Sequence, residues 1–254
     1  MRTILPVAAI AASFGLASAA QAATINIEYQ GAASGFRSAT ILEAPITPAG
    51  GATPVGSIGG AFFMADASLP ASDPFSNFLA WCLDLEHYLA GSGVEEYVTT
   101  TTPFSNSYGF TDPAAESRIQ ALFDANYYVG LENNLNESGA FQYALWEVLY
   151  DDDFSLTANT AATDEFRADI NNAATAAIAD TFLTNAQSYT GGEVWALTYL
   201  ESTNTNTRQN IITFGLAEDM SEVPLPMSGL LLAGGLAMVG GIKRRKAAKA
   251  AAEA

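Results

Sequence analysis

The chain has one cysteine, one histidine and, between Ala23 and Glu222, no lysine at all. Each scarcity removes a class of function. A single cysteine cannot close an internal disulfide, and no C-x-x-C pair is present to ligate zinc or run dithiol exchange. A single histidine rules out the H-E-x-x-H metalloprotease helix, and neither a Walker loop nor a G-x-S-x-G elbow occurs. The only cations between Ala23 and Glu222 are Arg37, Arg118, Arg167 and Arg208, set against 26 acids, so the formal charge there is −22. Such a surface repels phosphate backbones, which sets nucleic-acid binding aside. A salty exterior screens its self-repulsion. Apolar residues are plentiful: 49% of the 254 residues are hydrophobic, enough for a buried core.

The other six basic residues lie at the two ends. Arg2 precedes an apolar run, Ile4 to Leu16, that is too short to span a bilayer, and Ala20-Gln21-Ala22 is an A-x-A cleavage site. Residues 1–22 therefore read as a signal peptide, cut by signal peptidase between Ala22 and Ala23, with 23–219 as one exported domain. In 220–254, Val223-Pro224-Leu225-Pro226 is a lead-in that proline keeps non-helical. Met227 to Ile242 is uncharged and apolar, and Lys243-Arg244-Arg245-Lys246 would hold the tail on the cytoplasmic side. This tail resembles the PEP-CTERM sorting signal in its VPLPA variant, with Met227 where that variant usually has alanine and eight further residues after the basic cluster. The resemblance implies processing by an exosortase-like membrane enzyme. It also implies residence in the membrane before processing, and a place at the cell envelope, outer surface or exopolysaccharide matrix.

The body reads as α+β: a β-rich domain with an inserted helical segment, followed by the C-terminal hydrophobic sorting helix. Thr24 to Tyr29 alternates polar and apolar residues as a half-buried strand does, and 35–42, 57–64 and 78–85 are further strand candidates. Asp112-Pro113 reads as a helix cap and first turn. A second helix is expected from Ser138, and a third from Thr163 to about Asn185 with Phe166 and Ile170 on its apolar face. Strands 194–200 and 210–216 close the domain, with a turn at 204–208 between them.

Cys82 lies in the apolar run Phe78-Leu79-Ala80-Trp81-Cys82-Leu83-Asp84-Leu85. On the residues alone it is a packed core thiol, an intermolecular crosslinker or a reactive group. A second segment, Ala140-Phe141-Gln142-Tyr143-Ala144-Leu145-Trp146-Glu147, puts a glutamine in the expected first turn of the second helix. Together the two segments resemble the Cys-Gln thioester (TQXA) domain of bacterial surface proteins. Gln142, Ala144, Leu145 and Trp146 fit its T-Q-x-A-[IL]-W helix start, and Phe141 replaces its threonine. The resemblance implies a bond between Cys82 and Gln142, sheltered by Trp81, Phe141 and Trp146, with helix-start N–H groups favouring the oxyanion. Its partner would be a surface amine or an exopolysaccharide. His87 falls five residues after Cys82, and strand alternation would send the two to opposite faces. Asp151-Asp152-Asp153 lacks the glycine and terminal glutamate of an EF-hand and reads as a solvated loop. No cofactor, metal or catalytic constellation is signalled. The expectation is a non-enzymatic adhesion or matrix protein, with a covalent thioester adhesin and a secreted enzyme as the alternatives.

Peptide mapping of the natively produced protein should find an N-terminus at Ala23 and no peptide from the Met227 to Ile242 span. Recovery of that span intact in the membrane fraction would make it an anchor instead.

Overall fold

A computed structural model describes residues 24–70, 76–89, 91–100, 112–157, 166–204 and 208–217. The Ala22/Ala23 junction and the Val223 to Pro226 motif with its apolar span lie outside the described residues. In chain order the elements are β1 (Thr24–Ala32), β2 (Arg37–Glu43), β3 (Val55–Gly59), β4 (Phe62–Asp66), β5 (Asn77–Cys82) and β6 (Val94–Thr100). After these come α1 (Ala115–Asn126), α2 (Leu135–Tyr150), β7 (Arg167–Ile170), α3 (Ala173–Ser188), β8 (Trp195–Ser202) and β9 (Ile211–Leu216). Six antiparallel strands close into a barrel in the order β1-β4-β5-β9-β8-β6, and β3-β2-β7 form a small separate sheet. Closure leaves the barrel without an unpaired edge to template aggregation. No helix among the described residues is long and apolar enough to cross a membrane.

Two apolar cores result. Ile27, Phe62, Met64, Ala80, Tyr97, Leu200 and Ile211 fill the barrel. The larger core lies outside it, where α1, α2 and α3 pack together against β5, β8 and β9. At its centre Trp81, Phe123, Tyr127, Phe141 and Phe214 bring their rings within about 4–6 Å of one another, edge to face or tilted, as ring quadrupoles favour. α2 runs through the middle: every residue from Ser138 to Tyr150 is buried. A helix wrapped on all sides reads as apolar all round, and its few polar residues must find partners inside the protein.

The expected strand 57–64 is two strands. The chain leaves the small sheet at Gly59 and enters the barrel at Phe62, and α2 crosses at that point. A Cβ on Gly59 would lie 2.9 Å from Gln142 Cγ and 3.1 Å from its Cβ, and one on Gly60 would lie 2.8 Å from the Gly35 carbonyl. Only glycine lets the helix approach so closely.

Three helix starts depart from expectation. α1 begins at Ala115, although the Asp112 side chain still accepts from Ala114 N at 2.9 Å. α2 begins at Leu135, because Asn134 accepts from Asn136 N and Glu137 N and caps it there. The third helix starts at Ala173, capped by Asn172. Phe166 and Ile170 are not on it: they flank and end β7, which pairs with β2. The loop after α2 is not simply solvated either. Asp151 is 4% exposed and accepts from Asp152 N, Asp153 N and Phe166 N, tying the end of α2 to the start of β7.

Replacing Gly59 by alanine should lower stability by about 1–3 kcal/mol through overpacking against Gln142, read as a drop in melting temperature. Gly56→Ala, where nothing lies within 4 Å, should melt close to the parent.

Candidate functional site

Cys82 ends β5. Leu83 N donates to Asn210 O on the β9 side at 2.8 Å. Neighbouring residues turn their backbone groups to opposite edges of a strand, so the N–H and C=O of Cys82 face β4. There β4 no longer pairs. Its ladder with β5 runs Ala65↔Asn77 to Phe62↔Ala80 and stops. Continued in register, it would bring Gly60 opposite Cys82, but Gly60 has already left the sheet.

Gln142 takes that place. Its Oε1 accepts from Cys82 N at 3.0 Å, and its Nε2 donates to Cys82 O at 2.8 Å. One turn earlier on the same face of α2, Ser138 Oγ accepts from Ala61 N at 2.8 Å. The carboxamide thus serves as a one-residue strand, and Gln142 is fully buried. The two residues singled out in the sequence, 60 positions apart, meet through the backbone of one and the side chain of the other.

The Cys82 residue itself is half-buried and lines an open, largely apolar cleft of about 590 Å³ with Tyr29, Ile41, His87, Tyr88 and Trp146. Trp146 belongs to the cleft wall and packs on Tyr143 at 5.5 Å. Trp81 and Phe141 do not line it. They pack in the aromatic cluster, with their rings tilted and centroids 5.0 Å apart. Phe141 fills the core completely, so an aromatic ring stands where the resembling motif carries a hydroxyl.

The bend after β5 brings in residues that sequence reasoning passed over. Asp84 is fully buried. Its Oδ1 accepts from His87 N at 3.1 Å and faces His87 Nδ1 at 3.2 Å, while Oδ2 accepts from Asn210 N at 2.5 Å. Gln209 Nε2 donates to the Asp84 carbonyl, and Leu85 N donates to Tyr150 Oη at 3.0 Å. The strand expected to reach Leu85 therefore ends at Cys82. Alternation no longer applies beyond that point, and His87 lines the same cleft as Cys82 rather than an opposite face. Asp84 lay within the quoted apolar run. Its partners Gln209 and Asn210 carried no local signal, because they are more than a hundred positions away.

Burial pushes the Cys82 thiol well above its ordinary pKa, and the Asp84 charge adds to the rise. An acidic, apolar setting is the opposite of the electropositive one that makes a catalytic thiolate. The cleft thus lacks the electrostatics of a cysteine hydrolase although it holds a cysteine, a histidine and an aspartate. The helix-start argument also changes. With α2 beginning at Leu135, Gln142 lies beyond the first turn, where the helix dipole has faded. The donor aimed at its carbonyl oxygen is the Cys82 N–H instead.

No family model matches the chain, and no curated protein does. Among solved structures, it is similar to the N-terminal domain of the Streptococcus pyogenes pilus tip adhesin Cpa, at 14% identity and a TM-score of 0.40 over 70% of this chain and 93% of that one. It is also similar to the N-terminal thioester domain of a surface protein from Clostridium perfringens, at 10% identity and a TM-score of 0.37 over 75% and 99%. At TM-scores this low, the reading of the site rests on its own geometry.

Burial raises the Asp84 carboxyl from 3.8 to about 6, against the opposing pull of the Asn210 and His87 contacts. Between those values the folded state holds more proton than the unfolded one. The contribution is therefore full below 3.8 and is lost as pH rises through about 6. Wild-type melting temperature should fall across that window relative to Asp84→Asn, by an amount equivalent to at most about 3 kcal/mol. Parallel profiles for the two proteins would remove Asp84 as the cause.

Proposed function

We propose that the chain is an exported surface protein that attaches covalently to amines through a thioester between Cys82 Sγ and the Gln142 side-chain carbon. The observation that carries this reading is the two-point pairing of the buried Gln142 carboxamide with the backbone of Cys82, a residue that lines an open cleft. The chemistry balances without an added reagent. The thiol sulfur attacks the carboxamide carbon, an S–C bond forms, the C–N bond breaks, and the amide nitrogen leaves as ammonia with the thiol proton. The Cys82 N–H faces the oxygen on which negative charge develops, and the Cys82 carbonyl holds the departing nitrogen. A partner amine then displaces the sulfur, giving an amide at Gln142 and a free thiol at Cys82.

Three further features favour this reading. The largely apolar cleft keeps hydroxide scarce near the bond, which slows its hydrolysis. The stretch from Ala23 to Glu222 has no lysine to consume the thioester internally. Its charge of −22 draws in cationic amines such as lysine side chains on a partner surface. Export through the signal peptide and release or sorting through the Val223 to Pro226 tail would place the domain at the cell envelope or in the surrounding matrix.

Freshly prepared native protein should weigh about 17 Da less than its mature sequence, the mass of the ammonia lost, and should take up methylamine on Gln142 with release of one titratable thiol. Cys82→Ala is the clean control, because Gln142 binds the backbone and not the thiol: the fold should persist and amine uptake should vanish. Gln142→Ala should abolish uptake too, and should also destabilise by about 1–3 kcal/mol by stranding two buried backbone groups. Full sequence mass with no adduct would reduce Gln142 to a strand surrogate.

A further inference from the structure

At the other end of α2, Glu147, Asp151 and Asp153 converge. One carboxylate oxygen from each lies within 4.8 Å of the others. Glu147 is fully buried and Asp151 nearly so. Glu147 Oε1 accepts from Ser155 N at 2.9 Å, but its Oε2 is buried with no hydrogen-bond partner among the described residues. Asp153 approaches Glu147 carboxylate to carboxylate, a contact that attracts only with a proton or a cation between. Hydrogen bonds hold the cluster in place: Asp153 Oδ1 accepts from Ser155 N at 2.7 Å, and Asp151 accepts from three backbone N–H groups. Among the described residues, the arginines are engaged elsewhere. Arg37 bonds to Asn136, and Arg118, Arg167 and Arg208 pair with Asp112, Glu43 and Glu95.

We infer that Glu147, Asp151 and Asp153 form a binding site for one calcium ion. The donors are all carboxylate oxygens, with no histidine or thiol, which is the ligand set of a hard divalent cation. The unpartnered Glu147 Oε2 supplies the observation that acidic crowding alone does not: it is a buried acceptor, in the cluster, whose hydrogen-bonding capacity is unused. Calcium takes about six to eight oxygens, so water and carbonyls complete the shell. The ion would pin the loop after α2 to the helix that carries Gln142. Protonation is the competing relief, since burial and then the Asp153 contact push the Glu147 carboxyl up to about 9.

The purified full chain, stripped with a chelator, should bind calcium at one saturable site by titration calorimetry. Its melting temperature should rise by about 5–10 °C at a hundredfold excess over the dissociation constant. Asp153→Asn, which still accepts from Ser155 N, should weaken binding at least about tenfold. Glu147→Gln should abolish the calcium-dependent shift while melting no lower than the parent in chelator, because a neutral amide replaces a carboxyl that only a proton or a cation relieves. That pairing of effects separates loss of the site from loss of the fold. The inference is overturned if the parent shows no saturable single-site calcium binding, which would leave a proton on Glu147. It is equally overturned if both variants keep the full calcium shift, which would assign the binding to the diffuse acidic surface.

Discussion

The carboxamide of Gln142 on the backbone of Cys82 is the contact on which the arrangement turns. A barrel strand needs partners on both edges, and β4 leaves β5 two residue pairs too early to supply one. A side chain from a buried helix makes up the shortfall with a donor and an acceptor spaced like a peptide group. The two hydrogen bonds fix helix and barrel in register as well as satisfying the strand. Both Gly59 and Ser138 follow from that constraint: the first lets α2 come close enough, and the second repeats the substitution one turn away at Ala61.

Phe141 sits next to Gln142 but serves the other core. Successive helix positions point some 100° apart, so Gln142 faces the departed strand while Phe141 enters the aromatic cluster with Trp81 and Phe123. Aromatic packing therefore holds α2 on that side, while Cys82 and Trp146 line the cleft together with His87 and Tyr88.

Electrostatics play little part in holding the fold. Three of the four body arginines form ion pairs at least partly open to solvent, a class worth about 0–1 kcal/mol each. The large negative balance is left to act outward on the surrounding solvent and inward on buried acids. Asp84 and Glu147 are both raised by burial, one beside the cleft and one at the far end of α2. The helix that carries the candidate reactive amide thus ends in a cluster of acids with a buried, unpaired oxygen.

Composition and period were enough to read an α+β body, the approximate courses of β1, β2, β8 and β9, and the existence of the central helices, since these depend on residues close in sequence. Cys82 and Gln142 were singled out by the resemblance of their two local segments to the thioester domain. What sequence alone misplaced was decided by distant partners. β7 forms in place of the start of a longer third helix because β2 is beside it. Residues 57–64 break in two because α2 crosses at Gly59. His87 joins the cleft of Cys82 because Asp84, held by Asn210, ends the strand. Local pattern marks most segments as strand or helix, whereas the meeting of Cys82 N–H and C=O with Gln142 requires the barrel to close and α2 to be buried against it, and no short-range signal encodes that geometry.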